Sequence, residues 1–154
     1  MIAAKYTHTN LIACNWQALA RFYQEVFGCE PVPPERDLSG AWLDAATGLP
    51  GAHLHGAHLR LPGWGASGPT LEVFEYETGG PDGAKTVNRT GFGHIAFQVE
   101  DVETARQAVM AAGGSPVGDL VTVPVQGAGT VTFVYMKDPE GNIIELQRWD
   151  RRAE

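Results

Sequence analysis

Gly91-Phe92-Gly93-His94-Ile95-Ala96-Phe97-Gln98-Val99 is a glycine-rich approach to a short strand with a histidine at its start. From Ile95 the residues alternate. Ile95, Phe97 and Val99 fall on one face, and His94, Ala96 and Gln98 fall on the other. The apolar face suits a covering helix layer, which leaves His94 on the opposite face beside uncharged neighbours. One histidine in such a place is ordinarily a satisfied structural residue, because an imidazole needs only one partner. Here the arrangement occurs twice.

The stretch Tyr6–Ala13 alternates in the same way, with Thr9, Leu11 and Ala13 on one face and His8, Asn10 and Ile12 on the other. A helix follows in each case. Asn15 is the N-cap of the first, whose stripe is Leu19, Phe22, Tyr23, Val26 and Phe27, with Gly28 as its stop. Asp101 caps the second, with Ala105, Ala108, Val109 and Ala112 as the stripe and Gly113 as the stop. Each cap lies seven residues after its histidine, and the stop glycines lie 20 residues after His8 and 19 after His94. The exits also agree, Gly28-Cys29-Glu30-Pro31-Val32 against Gly113-Gly114-Ser115-Pro116-Val117. These agreements predict an internal duplication of a strand–helix unit that continues into further strands.

The rest of the chain fills in the two copies. Pro31, Pro33 and Pro34 confine any strand there to a sheet edge. Residues Leu38–Pro50 suit a short helix or lid-like loop, with Trp42 and Leu43 as its apolar contacts. A strand is predicted near Ala57–Leu61, with Leu59 and Leu61 toward the helices and His58 and Arg60 opposite. After the flexible run Pro62–Pro69, Thr70–Tyr76 alternates with Leu71 and Val73 inward and Glu72 and Phe74 opposite. Residues 79–90 form a linker between a first module of about 1–78 and a second of about 91–154, within a single domain spanning 1–154. The second module continues with strands at Val121–Val125 and Thr130–Met136. Asp138-Pro139-Glu140-Gly141-Asn142 makes a turn. In the closing strand Ile143–Gln147, Ile144 and Leu146 face the helices and Glu145 shares the face of His94. His53 and His55 read as solvated surface near a strand start.

Length and composition exclude several classes. A chain of 154 residues with 44% hydrophobic residues suits a compact domain with a substantial core. The net charge of −7 and the lack of a basic cluster beyond Arg148, Arg151 and Arg152 argue against a nucleic-acid partner. The apolar runs are too short to span a bilayer, and no signal peptide is read at the start. Cys14 and Cys29 have no metal-type spacing and suit free thiols in a reducing cytoplasm.

Each copy therefore offers one histidine on its first strand and one glutamate on its last, on the face away from the helices: His8 with Glu72, and His94 with Glu145. A buried carboxylate in such a place must be paired or metal-bound. Two histidines and two carboxylates suit a divalent-metal site, and mixed nitrogen and oxygen ligation favours zinc, nickel, cobalt, manganese or iron over calcium or magnesium.

Gly91–Phe97 and Asp138–Leu146, with Phe22-Tyr23 through Phe27-Gly28, resemble the vicinal oxygen chelate superfamily, which includes glyoxalase I, methylmalonyl-CoA epimerase, extradiol dioxygenases and bleomycin- and fosfomycin-resistance proteins. The resemblance implies an α+β fold of two tandem βαβββ modules whose curled mixed sheets form a metal-binding cup. It carries the ligand positions onto His8, Glu72, His94 and Glu145, a set similar to glyoxalase I. The implied activity is that of a metal-dependent lyase or isomerase. A proton moves next to a carbonyl through a metal-bound enediolate, with Glu145 as the base and Glu72 as the alternate. His58, Arg60, Phe74 and Asn10 share that face as candidate substrate-binding residues, and His58 and Arg60 either grip an acidic group or simply line the cup.

Departures from glyoxalase I weigh against glutathione as substrate. Tyr76 stands where that enzyme tends to carry asparagine, Arg89 is one place further from the histidine than in the familiar motif, and Val123–Thr130 has no lysine. The resemblance leaves open a ferrous extradiol-type dioxygenase and a non-catalytic small-molecule-binding protein. It also implies a homodimer, in which modules pair within a chain or across two copies.

Overall fold

The alternation in Tyr6–Ala13 becomes strand β1 (His8–Ile12), and Asn15 starts helix α1 (Trp16–Phe27) by accepting the Ala18 amide at 2.9 Å. This was found in a computed structural model that describes residues 1–150. Arg151 and Arg152 of the basic tail lie outside them. Glu75 adds a second cap, accepting the Trp16 amide at 3.1 Å, where a carboxylate is favoured by the helix dipole. Gly28, at φ +68°, closes the helix in the left-handed region.

The chain forms two compact units, Met1–Asp82 and Gly83 onward. In the first, β2 (Glu30–Ser39), β3 (His53–Arg60) and β4 (Thr70–Tyr76) join β1 in the order β1-β4-β3-β2. The proline-rich strand does lie at the edge, and its register shifts between Val32 and Arg36, across Pro33 and Pro34, which lack an amide donor. Helix α1 lies on β3 and β4. Its Leu19, Ala20, Phe22 and Tyr23 are buried on one side of this core, and Leu59, Leu71 and Val73 on the other. Helix α2 (Ala41–Thr47) packs Leu43 with Ala52 and Leu54, and Leu38, Phe74 and Tyr76 pack against them. Trp42, expected as an apolar contact, is exposed. Strand β3 begins at His53, four residues before its expected start at Ala57.

The second unit repeats the plan. Its strands are β5 (Ile95–Gln98), β6 (Ser115–Pro116), β7 (Val121–Val125), β8 (Gly129–Lys137) and β9 (Ile143–Asp150). The order is β5-β9-β8-β6, with β7 also on β8. Helix α3 (Val102–Ala111) is capped by Asp101, which accepts the Thr104 amide at 2.6 Å, and it lies on β8 and β9. Its buried stripe runs through Val102 and Val109, whereas Ala108 is exposed. Val134, Met136, Ile144 and Leu146 complete the core beneath it. The turn before β9 is tied by Asp138, which accepts the Glu140 and Asn142 amides, each at 2.9 Å.

The duplication is visible in the topology. The first strand of each unit runs parallel to its last, β1 with β4 and β5 with β9, and the last is antiparallel to the strand before it. The fold is α+β with mixed, unclosed sheets of four and five strands. No helix among the described residues is long and apolar enough to cross a membrane.

Candidate functional site

Strand register decides which side chains meet. Asn10 lies opposite Glu72 across β1–β4, and His58 lies opposite Glu72 across β3–β4. Opposed residues share a face, so His8, Asn10, His58 and Glu72 all project away from α1. The Glu72 carboxylate lies 3.5 Å from His8 Nε2 and 3.1 Å from His58 Nε2, and Asn10 Nδ2 donates to it at 3.3 Å. His58 stands edge-on to His8 and to Phe74, with ring centroids at 6.2 and 5.7 Å. Burial pushes the His58 imidazole below its ordinary pKa, outweighing the upward pull of Glu72, and Arg36 and His8 push the same way as burial. Burial thus favours the neutral form of His58 beside Glu72.

The same register recurs in the second unit, where Ala96 and Tyr135 both lie opposite Glu145. In each unit the histidine precedes by two residues the position facing the glutamate. His94 Nε2 is 2.9 Å from Glu145 Oε2, and the His94 and Tyr135 rings are 5.1 Å apart. Burial, then the charge of Glu145, raises the Tyr135 phenol above its usual range and keeps it protonated. Among the described residues His94 is the one hydrogen-bonding or ionic partner of Glu145, whereas Glu72 has three.

The donor atoms suit a cation. Two ligands held about 2.0–2.2 Å from one ion lie roughly 3.0–3.5 Å apart. The His8–Glu72 and His94–Glu145 separations of 3.5 and 2.9 Å are close to that span.

Of the remaining candidates, Phe74 is half-buried in the cluster around Leu54 and lies beside His58. Arg60 donates from Nη1 to the Ala66 carbonyl, which ties it to the loop between β3 and β4.

A second group of polar residues corrects the expectation that His53 and His55 are plain solvated surface. They share the α1 face of β3, with Asp37 opposite His55 on β2 and Glu77 just beyond β4. His53 is 2.6 Å from Asp37 and 2.9 Å from Glu77, and His55 is 3.6 and 3.3 Å from the same two carboxylates. The hydrogen bond with Asp37 raises the His53 imidazole and lowers the Asp37 carboxyl. The signal for this group was the His53-Leu54-His55 alternation, which extends the parity of Leu59 back along the strand. Tyr135 could have been found in the same way, from its place opposite Glu145.

Comparison with known proteins gives a consistent picture. Residues 5–146 match the family model described as Glyoxalase/Bleomycin resistance protein/Dioxygenase superfamily. The chain is 31% identical over 147 residues to a probable lactoylglutathione lyase of Vibrio parahaemolyticus, covering 95% of this chain and 91% of that one. It is 30% identical over 143 residues to the lactoylglutathione lyase of Haemophilus influenzae, covering 90% and 88%. Among solved structures, a glyoxalase family protein from Bacillus cereus shares the fold, with a TM-score of 0.80 at 18% identity over 97% of this chain and 96% of that one.

Proposed function

The chain belongs to the glyoxalase/bleomycin resistance protein/dioxygenase superfamily, and from that premise we propose that it is a metal-dependent lyase or isomerase of the glyoxalase I or epimerase type. It moves a proton next to a carbonyl of a small oxygenated substrate. The observation that carries this reading is the repeated histidine–glutamate pair, in the same register in both units. Two relatives, one named a probable lactoylglutathione lyase and the other a lactoylglutathione lyase, support it.

His8, Glu72, His94 and Glu145 would hold one divalent cation, with zinc, nickel, cobalt, manganese and iron all suited to the donor set. When bound, the ion supplies stabilisation of negative charge developing on substrate oxygen. The chain's own groups handle the proton. Glu145, held among the described residues by His94, has oxygen lone pairs to take a proton from carbon and return it. Glu72 is engaged by His8, His58 and Asn10, which fixes its position and occupies its acceptors. Asn10, His58 and Phe74 line the substrate side, and Arg60 steadies the adjoining loop. The working form is a homodimer, in which edge strands of the unclosed sheets are covered.

Metal analysis of the purified protein, then a substrate screen at full occupancy, tests this. The screen includes lactoylglutathione and small α-hydroxy carbonyl compounds with and without glutathione. The expected result is turnover with exchange of the substrate proton for solvent deuterium. Protein without stoichiometric metal that still binds small molecules would favour a binding protein, and oxygen uptake with catechols would favour a dioxygenase.

A further inference from the structure

We propose that Asp37, His53 and His55 form a second cation site, separate from the one above, which takes a late first-row divalent metal of the zinc class with Glu77 orienting the two imidazoles. The site lies on the α1 face of the first unit's sheet, whereas His8, His58 and Glu72 occupy the other face. No ligand can serve both.

The geometry assigns the roles. Oδ1 of Asp37 is 2.6 Å from His53 Nε2 and 3.6 Å from His55 Nδ1, and one donor atom from each of the three residues lies within 4.8 Å of the others. The remaining ring nitrogens face Glu77 instead. His53 Nδ1 is 2.9 Å and His55 Nε2 3.3 Å from the same Glu77 oxygen. Histidines that bind metal regularly donate their second N–H to a carboxylate, which fixes the tautomer and aims the free lone pair. With hydrogens placed toward Glu77, the lone pairs of His53 Nε2 and His55 Nδ1 point toward the Asp37 carboxylate. The 2.6 Å between Asp37 Oδ1 and His53 Nε2 is a hydrogen-bond distance, so an arriving cation would displace the shared proton and spread these two donors to roughly 3.0–3.5 Å. Two imidazoles and one carboxylate are a donor set for zinc, nickel, cobalt or copper rather than for calcium or magnesium.

The backbone has already ordered these ligands. His53 and His55 share a face because they are two apart on β3, and Asp37 is held opposite His55 by the sheet ladder. Three protein ligands leave a coordination position open. Asp37 and His55 also line a cleft of about 430 Å³, together with Trp16, Arg36 and Glu75, which gives that position access to water or a small anion. A bound cation would clip the edge strand β2 to β3 just beyond the register shift between Val32 and Arg36.

The test is zinc titration of the full chain against a competing chromophoric chelator. His8→Ala/His94→Ala removes the first proposed site. The expected result is one zinc equivalent still bound by that variant, with a raised melting temperature, and loss of both when His53→Ala/His55→Ala is added. Glu77→Gln should keep the stoichiometry but weaken affinity by about tenfold or more. Absence of zinc binding in the His8/His94 variant, or binding indifferent to His53 and His55, overturns the proposal. Should that variant fail to fold, Asp37→Asn in otherwise native protein supplies the same subtraction at an exposed side chain. One equivalent fewer supports the site, and an unchanged count overturns it. Failure of the function proposed above would leave this result untouched, since the two sites share no residue.

Discussion

The two units set a histidine and a glutamate in the same register but surround them differently. Glu72 is gripped by His8, His58 and Asn10, while among the described residues Glu145 pairs with His94, because the repeat has Ala96 in place of Asn10 and Tyr135 in place of His58. His58 and the protonated Tyr135 occupy equivalent rungs, yet only His58 reaches its glutamate with a polar bond. The duplicated backbone therefore determines which residues meet, and the flanking side chains determine what each carboxylate is free to do. In the proposed mechanism the first is an anchored ligand and the second serves as the base.

The largest effect should come from breaking the freer carboxylate. At equal metal occupancy, Glu145→Gln should lower turnover by about 10²–10⁴-fold, the usual range for general acid–base catalysis, with metal binding less affected. Glu72→Gln should be milder, since its role is to hold. An inactive Glu72→Gln beside a normal Glu145→Gln would reverse the roles, and full activity in both would remove proton transfer from the mechanism.

The layers beneath the two glutamates should respond alike. Leu71, next to Glu72, and Leu146, next to Glu145, are both fully buried. Replacing either by alanine should cost about 2–5 kcal/mol in denaturant unfolding. A cost under about 1 kcal/mol at one of them would show that the two cores are not equivalent.

A finer probe exchanges the flanking residues. His58→Phe frees Glu72 from a partner and should weaken metal affinity by about tenfold. Tyr135→Phe removes a hydroxyl that makes no bond to Glu145 and should change affinity by less than about threefold. Equal effects would erase the distinction drawn between the two surroundings.

The smallest effect concerns the exits of the two first helices. Cys29 is buried, and burial pushes its thiol up to about 11, while Cys14 is exposed. Because the thiolate is the reactive form, alkylation of native protein at pH 8 should modify Cys14 quickly and Cys29 only after unfolding. Two fast thiols would contradict the packing. In the repeat, Gly114 stands in the place of Cys29, where a Cβ would come within 2.5 Å of the Lys137 carbonyl. The close approach explains why that copy carries no side chain.

Much of the fold was legible because strict alternation between turn residues leaves little choice. Strand β4 matches its expected span Thr70–Tyr76, and β7 matches Val121–Val125. The prolines of β2 placed it at an edge for want of amide donors. The early start of β3 was hidden because His53 and His55 look like surface when their cross-strand partners are unknown. The two histidine–glutamate pairs could be anticipated, since side-chain parity puts His8 with Glu72 and His94 with Glu145 on one face. Contacts that depend on neighbouring strands could not. Alternation put His58 on the face of Glu72, but its contact with that carboxylate and the place of Tyr135 opposite Glu145 come from the antiparallel register, and Asp37 reaches His55 only after the shift between Val32 and Arg36.

The most direct test of the central proposal is anomalous X-ray scattering from crystals of metal-loaded protein, collected at the absorption edge of the bound metal. The predicted result is a peak about 2.0–2.2 Å from Nε2 of both His8 and His94, with carboxylate oxygens of Glu72 and Glu145 completing the set. A peak on one pair that excludes the other, or no peak near either histidine in protein that contains stoichiometric metal, would contradict it.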